Sequence, residues 1–366
     1  MYDYLVVGAG FAGATLAERL ASELGAHVLL IDRRDHLAGN AYDPLDEHGV
    51  RIHCYGPHIF HTNDERVVSY LSRFTAWRPY EHRVLARARG QLVPIPINQV
   101  TLHALFGVPR SEEAAAAFLA QRAEPVERIA TSEDVIVGKV GRELYELFFR
   151  GYTRKQWGLD PSELDASVCG RIPTRVNGDC RYFTDAFQAM PRDGFGAMFE
   201  AMVAHPRIEV VLGVDFRTIA DRERFDHVIF TGAIDEYFEY RFGRLPYRSL
   251  EFTFETLDTP WHQEVAVINE PDASVPYTRT TEFKHLTGQA HPKTTIAREY
   301  PRAGGDPYYP IPNPECRALY QQYAALAQRE RHATFVGRLA EYRYYNMDQV
   351  VASALATFED LAKVRA

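Results

Sequence analysis

The sequence has no excess of positive charge and no closely paired cysteines. Its 366 residues carry a formal net charge of −8, which gives no general attraction for a polyanion and disfavours a nucleic-acid-binding protein. The cysteines are Cys54, Cys169, Cys180 and Cys316. Because none of them forms a C-x-x-C pair, neither a zinc site nor a redox dithiol is indicated, and free thiols in a reducing compartment fit best.

Long apolar runs, repeats and linkers are also missing. No segment approaches the length of a membrane span, and the N-terminus passes directly into a strand pattern without a basic leader. We therefore expect a cytoplasmic protein without a metal site, a nucleic-acid partner or a membrane partner. The composition, 46% hydrophobic and 25% charged, is that of a globular protein with one large or two to three ordinary domains.

The first forty residues contain the pattern of a dinucleotide-binding unit. The apolar run YLVV (4–7) predicts a buried parallel strand, and GAGFAG (8–13) follows it as G-x-G-x-x-G before a helical segment. A second run, HVLLI (27–31), ends in Asp32, nineteen residues after Gly13, where an acid that holds a ribose hydroxyl is expected. The predicted cofactor contacts here are Gly8, Gly10, Phe11, Ala12, Gly13 and Asp32.

The segment after the second strand favours FAD over NAD. RRDHLAGN (33–40) contains a glycine and a small polar residue, a continuation that resembles flavoproteins in which this loop passes the flavin side of the cofactor. We therefore add Arg33 and Asn40 to the predicted FAD contacts.

The rest of the chain changes pattern twice. Residues 112–151 predict helices, with Thr131 and Asp134 spaced as a capping box, and residues from about 170 to 312 favour strands. HVIFTG (227–232) and ATFVGR (333–338) have the pattern of segments with which the chain returns to the nucleotide-binding domain, the first of them as a buried strand. The predicted fold class is α/β, with a discontinuous Rossmann-like FAD-binding domain (residues 1–75, 192–235 and 325–366), an inserted helical domain (100–165) and an antiparallel β-sheet domain (76–99, 166–191 and 236–324).

The stretch GYTRKQW (151–157) interleaves aromatic rings and cations. Tyr145 and Phe149 share a helix face with Tyr152, which core packing alone would explain. Gly151 is expected to weaken the helix, so that Tyr152 and Trp157 project from a frayed end toward a cleft. For the cations, Arg154 and Lys155, we expect local ion pairs.

Seven phrases, together with the N-terminal pattern, carry a family resemblance. They are YGPHIFHTN (55–63), GYTRKQWG (151–158), RIPTR (171–175), YFTDAFQAMP (182–191), YTRTTEFKH (277–285), YYPI (308–311) and GRLAEYRYYNMDQ (337–349). In this order, and nearly from end to end of the chain, they closely resemble the bacterial type of UDP-galactopyranose mutase.

The resemblance implies an FAD-dependent isomerase that interconverts UDP-galactopyranose and UDP-galactofuranose without net redox change. In that family the flavin has to be reduced, and its N5 attacks the anomeric carbon and displaces UDP. The implied partners are a UDP-sugar as substrate, NAD(P)H or another reductant of the flavin, and a second copy of the chain in a homodimer.

The resemblance also implies the substrate contacts. Arg171 is similar to an arginine on a mobile loop and Arg279 to its fixed partner, and the two would grip the diphosphate in the ground state and the transition state. The other implied contacts are Phe148, Phe149, Tyr152, Trp157, Tyr182, Tyr309, Tyr344, Asn346 and His82. Tyr152 and Trp157 resemble the contacts to uracil and ribose. Asn346 stands where some members have Asp, so catalysis should not depend on a carboxylate there.

On the flavin side, His58 resembles a histidine near N5, whereas His61 is expected to be a structural residue bonded to backbone. Arg338 is similar to a contact to the FAD pyrophosphate, and Met347 would begin the helix that points at the flavin. The family's usual Gly-Gly-Asn is AGN (38–40) in this chain.

Three other functions remain open at this point. A flavin oxidoreductase of the amine-oxidase or phytoene-desaturase kind shares the cofactor fold, but it transfers hydride and would not need two arginines with an aromatic base platform. A mutase of another nucleotide-linked sugar, such as UDP-N-acetylgalactosamine, is also compatible, because nothing in the sequence measures the pocket around sugar C2. A binding module related to the Rab GDP-dissociation inhibitors is disfavoured by the intact glycines and the His58 loop.

Overall fold

The computed structural model describes residues 2–220 and 224–365. Its strands are β1 Tyr4–Val7, β2 Val28–Asp32, β3 Phe60–Thr62, β4 Trp77–Pro79, β5 Val84–Ala88, β6 Gln91–Ile95, β7 Phe187–Pro191, β8 Ile208–Leu212, β9 His227–Phe230, β10 Tyr247–Leu257, β11 Val267–Asn269, β12 Arg279–Glu282, β13 Thr294–Arg302, β14 Tyr309–Pro310 and β15 Ala333–Phe335. Its α-helices are α1 Phe11–Leu24, α2 Glu65–Leu71, α3 Gln99–Phe106, α4 Glu112–Arg122, α5 Ser132–Tyr145, α6 Gly151–Trp157, α7 Ser167–Gly170, α8 Gly194–Val203, α9 Ile234–Tyr237, α10 Phe283–Thr287, α11 Pro314–Ala327 and α12 Met347–Arg365.

A parallel sheet is built around the N-terminal strand. Within the described residues its order is β15-β9-β1-β2-β8, and β1 pairs in parallel with both β2 and β9. Alternate side chains of β1 enter different clusters, since Tyr4 and Val6 pack with residues of α1, whereas Leu5 and Val7 pack with Phe216 and its neighbours. Burial on both faces explains why this strand reads as a continuous apolar run. The predicted Rossmann-like α/β fold class is confirmed.

A second sheet carries part of the cleft described below. Its order is β14-β10-β13-β12-β11-β5-β6, and its pairings are antiparallel except that β11 pairs in parallel with β5. The predicted antiparallel sheet is therefore a mixed sheet. A smaller antiparallel sheet, β3-β7-β4, joins residues 60–62 to two later strands.

The helical segment begins as the sequence predicts, with a capping box in which Thr131 and Asp134 exchange side-chain and backbone hydrogen bonds. Within α5, Gly141 has a non-helical backbone with φ +80°, and a Cβ there would lie 2.1 Å from the carbonyl oxygen of Arg122. A π-helical turn at Glu146–Arg150 then joins α5 to α6. The division of the whole chain into three domains stays a prediction.

No helix within residues 2–220 and 224–365 combines the length and the apolar content needed to cross a membrane.

Candidate active site

The loop between β1 and α1 is built on glycines that permit close backbone contacts. Gly8 has φ +103°, and a Cβ added there would lie 2.0 Å from Oγ1 of Thr231. A Cβ on Gly13 would lie 1.8 Å from the carbonyl oxygen of Gly8. No side chain caps the start of α1, so its first main-chain N–H groups remain open to a phosphate.

A first cavity, which we call the cofactor cavity, lies against this loop and has a volume of about 220 Å³. Of the residues predicted to bind the cofactor, it is lined by Gly8, Gly10, Phe11, Ala12, Asp32, Arg33, Asn40, His58, Arg338 and Met347. Gly13 is not on its surface and serves the close contact with Gly8 instead. The fold therefore joins the N-terminal motif to residues from distant parts of the chain.

Asp32 fixes the conformation of the cofactor loop at the end of β2. Its Oδ2 accepts the N–H of Ala9 at 2.7 Å, and its Oδ1 accepts the N–H of Arg34 at 2.9 Å. The guanidinium of Arg34 donates to Oδ1 of Asn40 at 2.8 Å and lies 4.1 Å from the ring centroid of Tyr55. Two of the predicted FAD contacts, Asp32 and Asn40, are thus held by the same neighbouring arginine residue.

The segment AGN (38–40) adopts the backbone that its glycine-rich counterpart would favour. Ala38 has φ +71°, in the left-handed region, and its N–H donates to the carbonyl of Ala9 at 3.0 Å. Its methyl group is buried, at 1% exposure. A Cβ on Gly39 would lie 3.1 Å from Cα of Gly10, so it is Gly39 that makes the close backbone approach.

A second cavity, which we call the substrate cleft, has a volume of about 790 Å³. It is lined by all the residues predicted to contact substrate, namely Phe148, Phe149, Tyr152, Trp157, Tyr182, Tyr309, Tyr344, Asn346 and His82, and by Arg171 and Arg279. These residues come from the π-helical turn, α6, the segments after α7 and before α12, the loop before β5, and strands β12 and β14. The structure therefore brings the predicted substrate site together in one place.

The interpretation of Gly151 as a weak point of the helix is wrong. The helix continues through this residue into α6, with helical φ and ψ. A Cβ on Gly151 would lie 2.3 Å from the carbonyl oxygen of Pro271. Glycine is needed here because α6 packs directly against the chain that follows β11. Tyr152 and Trp157 reach the cleft from an intact helix.

Aromatic rings line one end of the substrate cleft. The ring of Tyr344 stands edge-on to those of Trp157 and Tyr309, with centroid separations of 5.4 Å in both pairs. Burial raises the pKa of the Tyr152 and Tyr309 hydroxyls above the usual range, so both stay protonated at neutral pH. They are therefore available as hydrogen-bond donors.

Arg171 directly follows α7 and is exposed. One terminal nitrogen, Nη2, donates to Oδ1 of Asn346, and the guanidinium carbon lies 4.3 Å from the ring centroid of Tyr344. Asn346 therefore holds Arg171 as a hydrogen-bond acceptor, a role that a neutral amide fills without a carboxylate.

Arg279, the first residue of β12, has a buried counter-charge directly across the sheet. Its cross-strand partner is Glu299 on β13, and Nε lies 3.1 Å from Oε1 of this carboxylate. The contact is an ion pair without hydrogen-bond geometry, and Oε2 of Glu299 has no partner within the described chain. Burial opposes the charge on Arg279, but Glu299 together with Tyr152, Tyr309 and Tyr182 outweighs it, so the arginine's pKa is raised above its usual range. The cation is permanent.

His82 and His61 both face the substrate cleft. His82 is 4% exposed, and its Nδ1 is 3.1 Å from the hydroxyl oxygen of Tyr80. Burial lowers the pKa of His82 to about 3, so the ring is neutral. The expected backbone bond of His61 is not found, because Nδ1 pairs with Oδ2 of Asp185 at 2.6 Å and the ring stacks on Phe183.

A third cavity of about 150 Å³ connects the other two. It shares His58, Arg338 and Met347 with the cofactor cavity, and Arg171 and Arg279 with the substrate cleft. The guanidinium of Arg338 donates to the carbonyl of Tyr345 at 2.9 Å. The two larger cavities therefore meet at a small space lined by two histidines, His58 and His61, and by three arginines.

His58 is held as a neutral ring at this junction. Its Nδ1 lies 2.8 Å from the carbonyl oxygen of Gly56, so Nδ1 carries the proton and Nε2 the lone pair. The main-chain N–H of His58 donates to Nδ1 of His53 at 3.1 Å. Burial, reinforced by Arg338 and Arg279, lowers the pKa of His58 to about 4. At neutral pH its Nε2 is therefore a hydrogen-bond acceptor.

The sequence analysis missed three polar residues of the site. Glu299 is 1% exposed and lies beside Arg279. Gln156 and Asn269 line the substrate cleft, and the side-chain oxygen of each is buried without a hydrogen-bond partner among the residues that the structure describes. Such orphaned amides are suited to bind a ligand. Gln156 lies within GYTRKQWG and could have been noted there, whereas Asn269 and Glu299 have no local signal.

The prediction of local ion pairs for two cations is half right. Arg154 pairs with Oδ2 of Asp160 at 2.6 Å. Lys155 makes no such pair, because its Nζ instead donates to main-chain carbonyls of the segment 270–277.

Metal-ligating side chains do not cluster in the part of the chain that the structure describes, where no three His, Cys, Asp or Glu residues could share an ion. All four cysteines are free. Burial raises the pKa of Cys54 to about 11 and also raises that of Cys169, which lines the substrate cleft. Neither thiol is therefore activated as a nucleophile.

Comparison with known proteins yields one consistent family. The family model for UDP-galactopyranose mutase matches residues 147–344, and that for the NAD(P)-binding Rossmann-like domain matches residues 6–74. A probable UDP-galactopyranose mutase of Klebsiella pneumoniae is 42% identical over 98% of this chain and 94% of its own length. The dTDP-fucopyranose mutase of Escherichia coli is 38% identical over 97% of both chains.

A solved structure agrees at the level of the fold. The crystal structure of a reduced UDP-galactopyranose mutase superposes with a TM-score of 0.80, covering 100% of this chain and 94% of that one, at 17% sequence identity.

Proposed function

Because the chain belongs to the UDP-galactopyranose mutase family, a family of flavin-dependent isomerases, we propose that it interconverts UDP-galactopyranose and UDP-galactofuranose with FAD as cofactor. The observation that carries the proposal is the junction between the two large cavities, where His58 and Arg338 meet Arg171 and Arg279. A cofactor in the first cavity and a nucleotide diphosphate in the second would meet at this point.

The residues of the cofactor cavity fit FAD. Gly8 and Gly39 leave no room for a Cβ, so the backbone of the loop can approach a pyrophosphate, and uncapped N–H groups at the start of α1 face the same space. Arg33 on the cavity wall is suited to the adenosine half, and Asp32 to a ribose hydroxyl. Arg338, a half-buried arginine on the same cavity wall, is suited to the pyrophosphate because a guanidinium stays charged at neutral pH.

The substrate cleft fits a uridine diphosphate sugar. Tyr152 and Trp157 offer rings to the base and the ribose, and the orphaned amide of Gln156 offers a hydrogen bond to a base edge. Arg171 and Arg279 supply two permanent cations for the diphosphate. Because cleavage of the anomeric bond develops negative charge on the departing UDP, both arginines would stabilise the transition state as well as the bound substrate.

Reduced FAD would supply, through N5, the nucleophile that displaces UDP from the anomeric carbon. The residues of the chain would bind and orient the substrate and hold positive charge beside its diphosphate. His58 would present the lone pair of Nε2 to a hydrogen-bond donor in the junction, since its Nδ1 proton is engaged by Gly56. Asn269, beside Arg279 across the sheet, would bind a sugar hydroxyl with its unpaired amide oxygen.

A second candidate is a mutase of a dTDP-linked 6-deoxy sugar. It is favoured by the 38% identity to the dTDP-fucopyranose mutase, which is close to the 42% identity to the probable UDP-galactopyranose mutase. The two substrates differ by the 2′-hydroxyl, the base methyl group and the hydroxyl on sugar C6.

The experiment is to purify the protein, record its visible spectrum, reduce it with dithionite and incubate it anaerobically with UDP-galactofuranose, dTDP-fucofuranose and other nucleotide sugars. We expect a flavin spectrum and conversion of UDP-galactofuranose to UDP-galactopyranose only after reduction. Faster conversion of dTDP-fucofuranose would favour the second candidate. Full activity without any reductant, or reduction of the oxidised flavin by the sugar substrate, would contradict both.

The reductant of the flavin and the homodimer stay predictions. Reduction of the bound flavin by NAD(P)H under anaerobic conditions tests the first, and the mass in solution by light scattering tests the second.

A further inference from the structure

Lys155 is a half-buried cation to which the proposed reaction assigns no part. It lies on α6 between the two rings that face the substrate cleft, and its Nζ is directed into the irregular segment between β11 and β12. The acceptors are the main-chain carbonyl oxygens of Glu270, Asp272 at 2.8 Å, Val275 at 3.0 Å and Tyr277 at 2.9 Å. One ammonium group is thus within hydrogen-bond distance of four carbonyl oxygens of the eight-residue segment 270–277.

This segment carries a cleft residue at each end. Asn269 closes β11 before it and Arg279 opens β12 after it, and both line the substrate cleft. The base of the segment is closed by a hydrogen bond from the N–H of Glu270 to the carbonyl of Thr278 at 2.9 Å. The carboxylate of Glu270 pairs with Arg87 rather than with the lysine. Carbonyl dipoles are therefore the direct ligands of the ammonium group.

The other side of this contact is the helix that carries the rings. Gly151 of α6 touches the carbonyl of Pro271 so closely that a Cβ would lie 2.3 Å from it. At the far end of α6, Arg248 donates to the carbonyls of Gln156 at 2.9 Å and Lys155 at 3.3 Å. Two contacts therefore join α6 to the segment 270–277, the close approach of Gly151 to Pro271 and the hydrogen bonds of Lys155, and only the second is made by a charged group.

We propose that Lys155 is a positioning residue that sets the separation between the nucleotide rings of α6 and the diphosphate-binding Arg279. The proposal rests on the proposed function for the ligand that spans the two. In a nucleotide diphosphate, the ribose links the base to the diphosphate at a nearly fixed distance. The rings of α6 and the guanidinium of Arg279 therefore have to stand at a matching separation before the ligand binds. A misplacement of about 1 Å at such a site can cost about 100-fold in rate.

The first test is Lys155→Met, which keeps the apolar stem and removes the ammonium group. We expect amide hydrogen exchange in residues 270–279 to accelerate about tenfold and UDP affinity to fall about tenfold, with the flavin spectrum unchanged. Arg154→Met is the matched control, because this neighbouring cation is exposed and pairs only locally. Unchanged exchange in residues 270–279 of folded Lys155→Met would overturn the proposal.

A second lysine whose ammonium group donates to main-chain carbonyls, Lys284, is the control for removing any such group from the protein. Lys284 is 1% exposed and donates to the carbonyls of Pro260 and Lys293 at 2.7 and 3.0 Å, and also to that of His291. Lys284→Met should accelerate exchange around those carbonyls and leave residues 270–277 protected. Acceleration in residues 270–277 equal to that of Lys155→Met would contradict a specific role of Lys155.

A double-mutant cycle separates positioning from a general structural role. If Lys155 acts through Arg279, Lys155→Met should weaken UDP binding about tenfold in the wild type and less than about twofold in Arg279→Ala. Fully additive losses would overturn the proposal. Failure of the proposed function would be visible separately, as absent UDP binding in the wild type, since the exchange experiment needs no substrate.

Discussion

Arg279 and Glu299 face each other directly across two antiparallel strands, 3.1 Å apart between Nε and Oε1, and neither makes a hydrogen bond to the other. Glu299 is 1% exposed, and its second oxygen has no partner within the described residues. The arginine is thus charge-balanced but not saturated with acceptors. Among the described residues, Nε of Arg279 has no hydrogen-bond partner, and the guanidinium can donate to an anion that enters the cleft.

We predict that Glu299→Gln destabilises the ligand-free protein and that UDP restores much of the loss. Removing the counter-charge leaves the guanidinium of Arg279 unbalanced, at a cost of about 3 kcal/mol. A bound diphosphate replaces the missing charge, so UDP should raise the Tm more in the variant than in the wild type. Thermal unfolding with and without UDP measures this difference.

The matched control for this experiment is Glu251→Gln. Glu251 pairs with Arg302 across the same sheet, but both side chains are more than half exposed. An exposed pair contributes little, so neither the Tm nor the UDP effect should change. Equal stabilisation of Glu299→Gln and the wild type by UDP would argue against diphosphate binding at Arg279.

Arg171→Ala and Arg279→Ala are each expected to lower kcat/KM by at least about 100-fold while the flavin remains bound. Each removes a permanent charge from the place where UDP becomes negative in the transition state. Steady-state rates with reduced enzyme, combined with the visible spectrum, test both parts. Activity like that of the wild type in either variant would remove the assignment of the diphosphate to these side chains.

Gly151→Ala should destabilise the protein by more than about 2 kcal/mol, because the new methyl group would meet the carbonyl of Pro271 at 2.3 Å. Gly138→Ala is the control within the preceding helix. A Cβ there makes only ordinary contacts, the nearest at 3.4 Å to Val126, so the substitution should be neutral or stabilising by up to about 1 kcal/mol. Denaturant unfolding of the two variants gives the comparison. Similar effects would mean that α6 does not need the close approach.

Buried neutral histidines predict a loss of stability in mild acid. Burial lowers the pKa of His53 and His82 to about 3 and that of His58 to about 4, from an ordinary value of 6.5. Below pH 6.5 these histidines bind protons in the unfolded chain but stay neutral in the folded protein. The free energy of unfolding therefore falls as the pH falls. The loss should be on the order of 3 kcal/mol for each fully buried histidine between pH 6.5 and pH 4.

His82→Asn tests this pH dependence, because the amide does not titrate. The slope of the free energy of unfolding against pH should become shallower between pH 6.5 and pH 4, whatever the absolute stability of the variant. His48→Asn, at an exposed position, should leave the slope unchanged. An unaltered slope in His82→Asn would mean that its ring is already protonated in the folded protein.

The N-terminal part of the cofactor site was predictable because its determinants are local, whereas His58, Arg338 and Met347 were predicted only through the family resemblance. Gly8, Gly13 and Asp32 lie within one strand-helix-strand unit, and their spacing alone implies a tight turn and an acid at the end of β2. The close contacts that require glycine at positions 8 and 13 explain this spacing in physical terms. Ala38 departs from the family's usual glycine, yet its backbone lies in the left-handed region that glycine favours.

The substrate half was predictable only through the family resemblance. Tyr309 and Tyr344 are two of 21 tyrosines, and nothing in their immediate sequence distinguishes them from core residues. Local reasoning failed at Gly151 and Lys155, where the true partners lie more than a hundred residues away at Pro271 and in the segment 270–277.

The sequence by itself determined the strand-glycine-helix unit, the capping box at Thr131 and the membership of a family, because each depends on residues close together or on ordered motifs. Only the tertiary structure decided which charged and amide side chains of the site are left without hydrogen-bond partners. Glu299 and Asn269 become site residues only when β11, β12 and β13 lie side by side. Burial across a sheet, and not residue type, leaves their oxygens without partners, and burial cannot be read from neighbours in the chain.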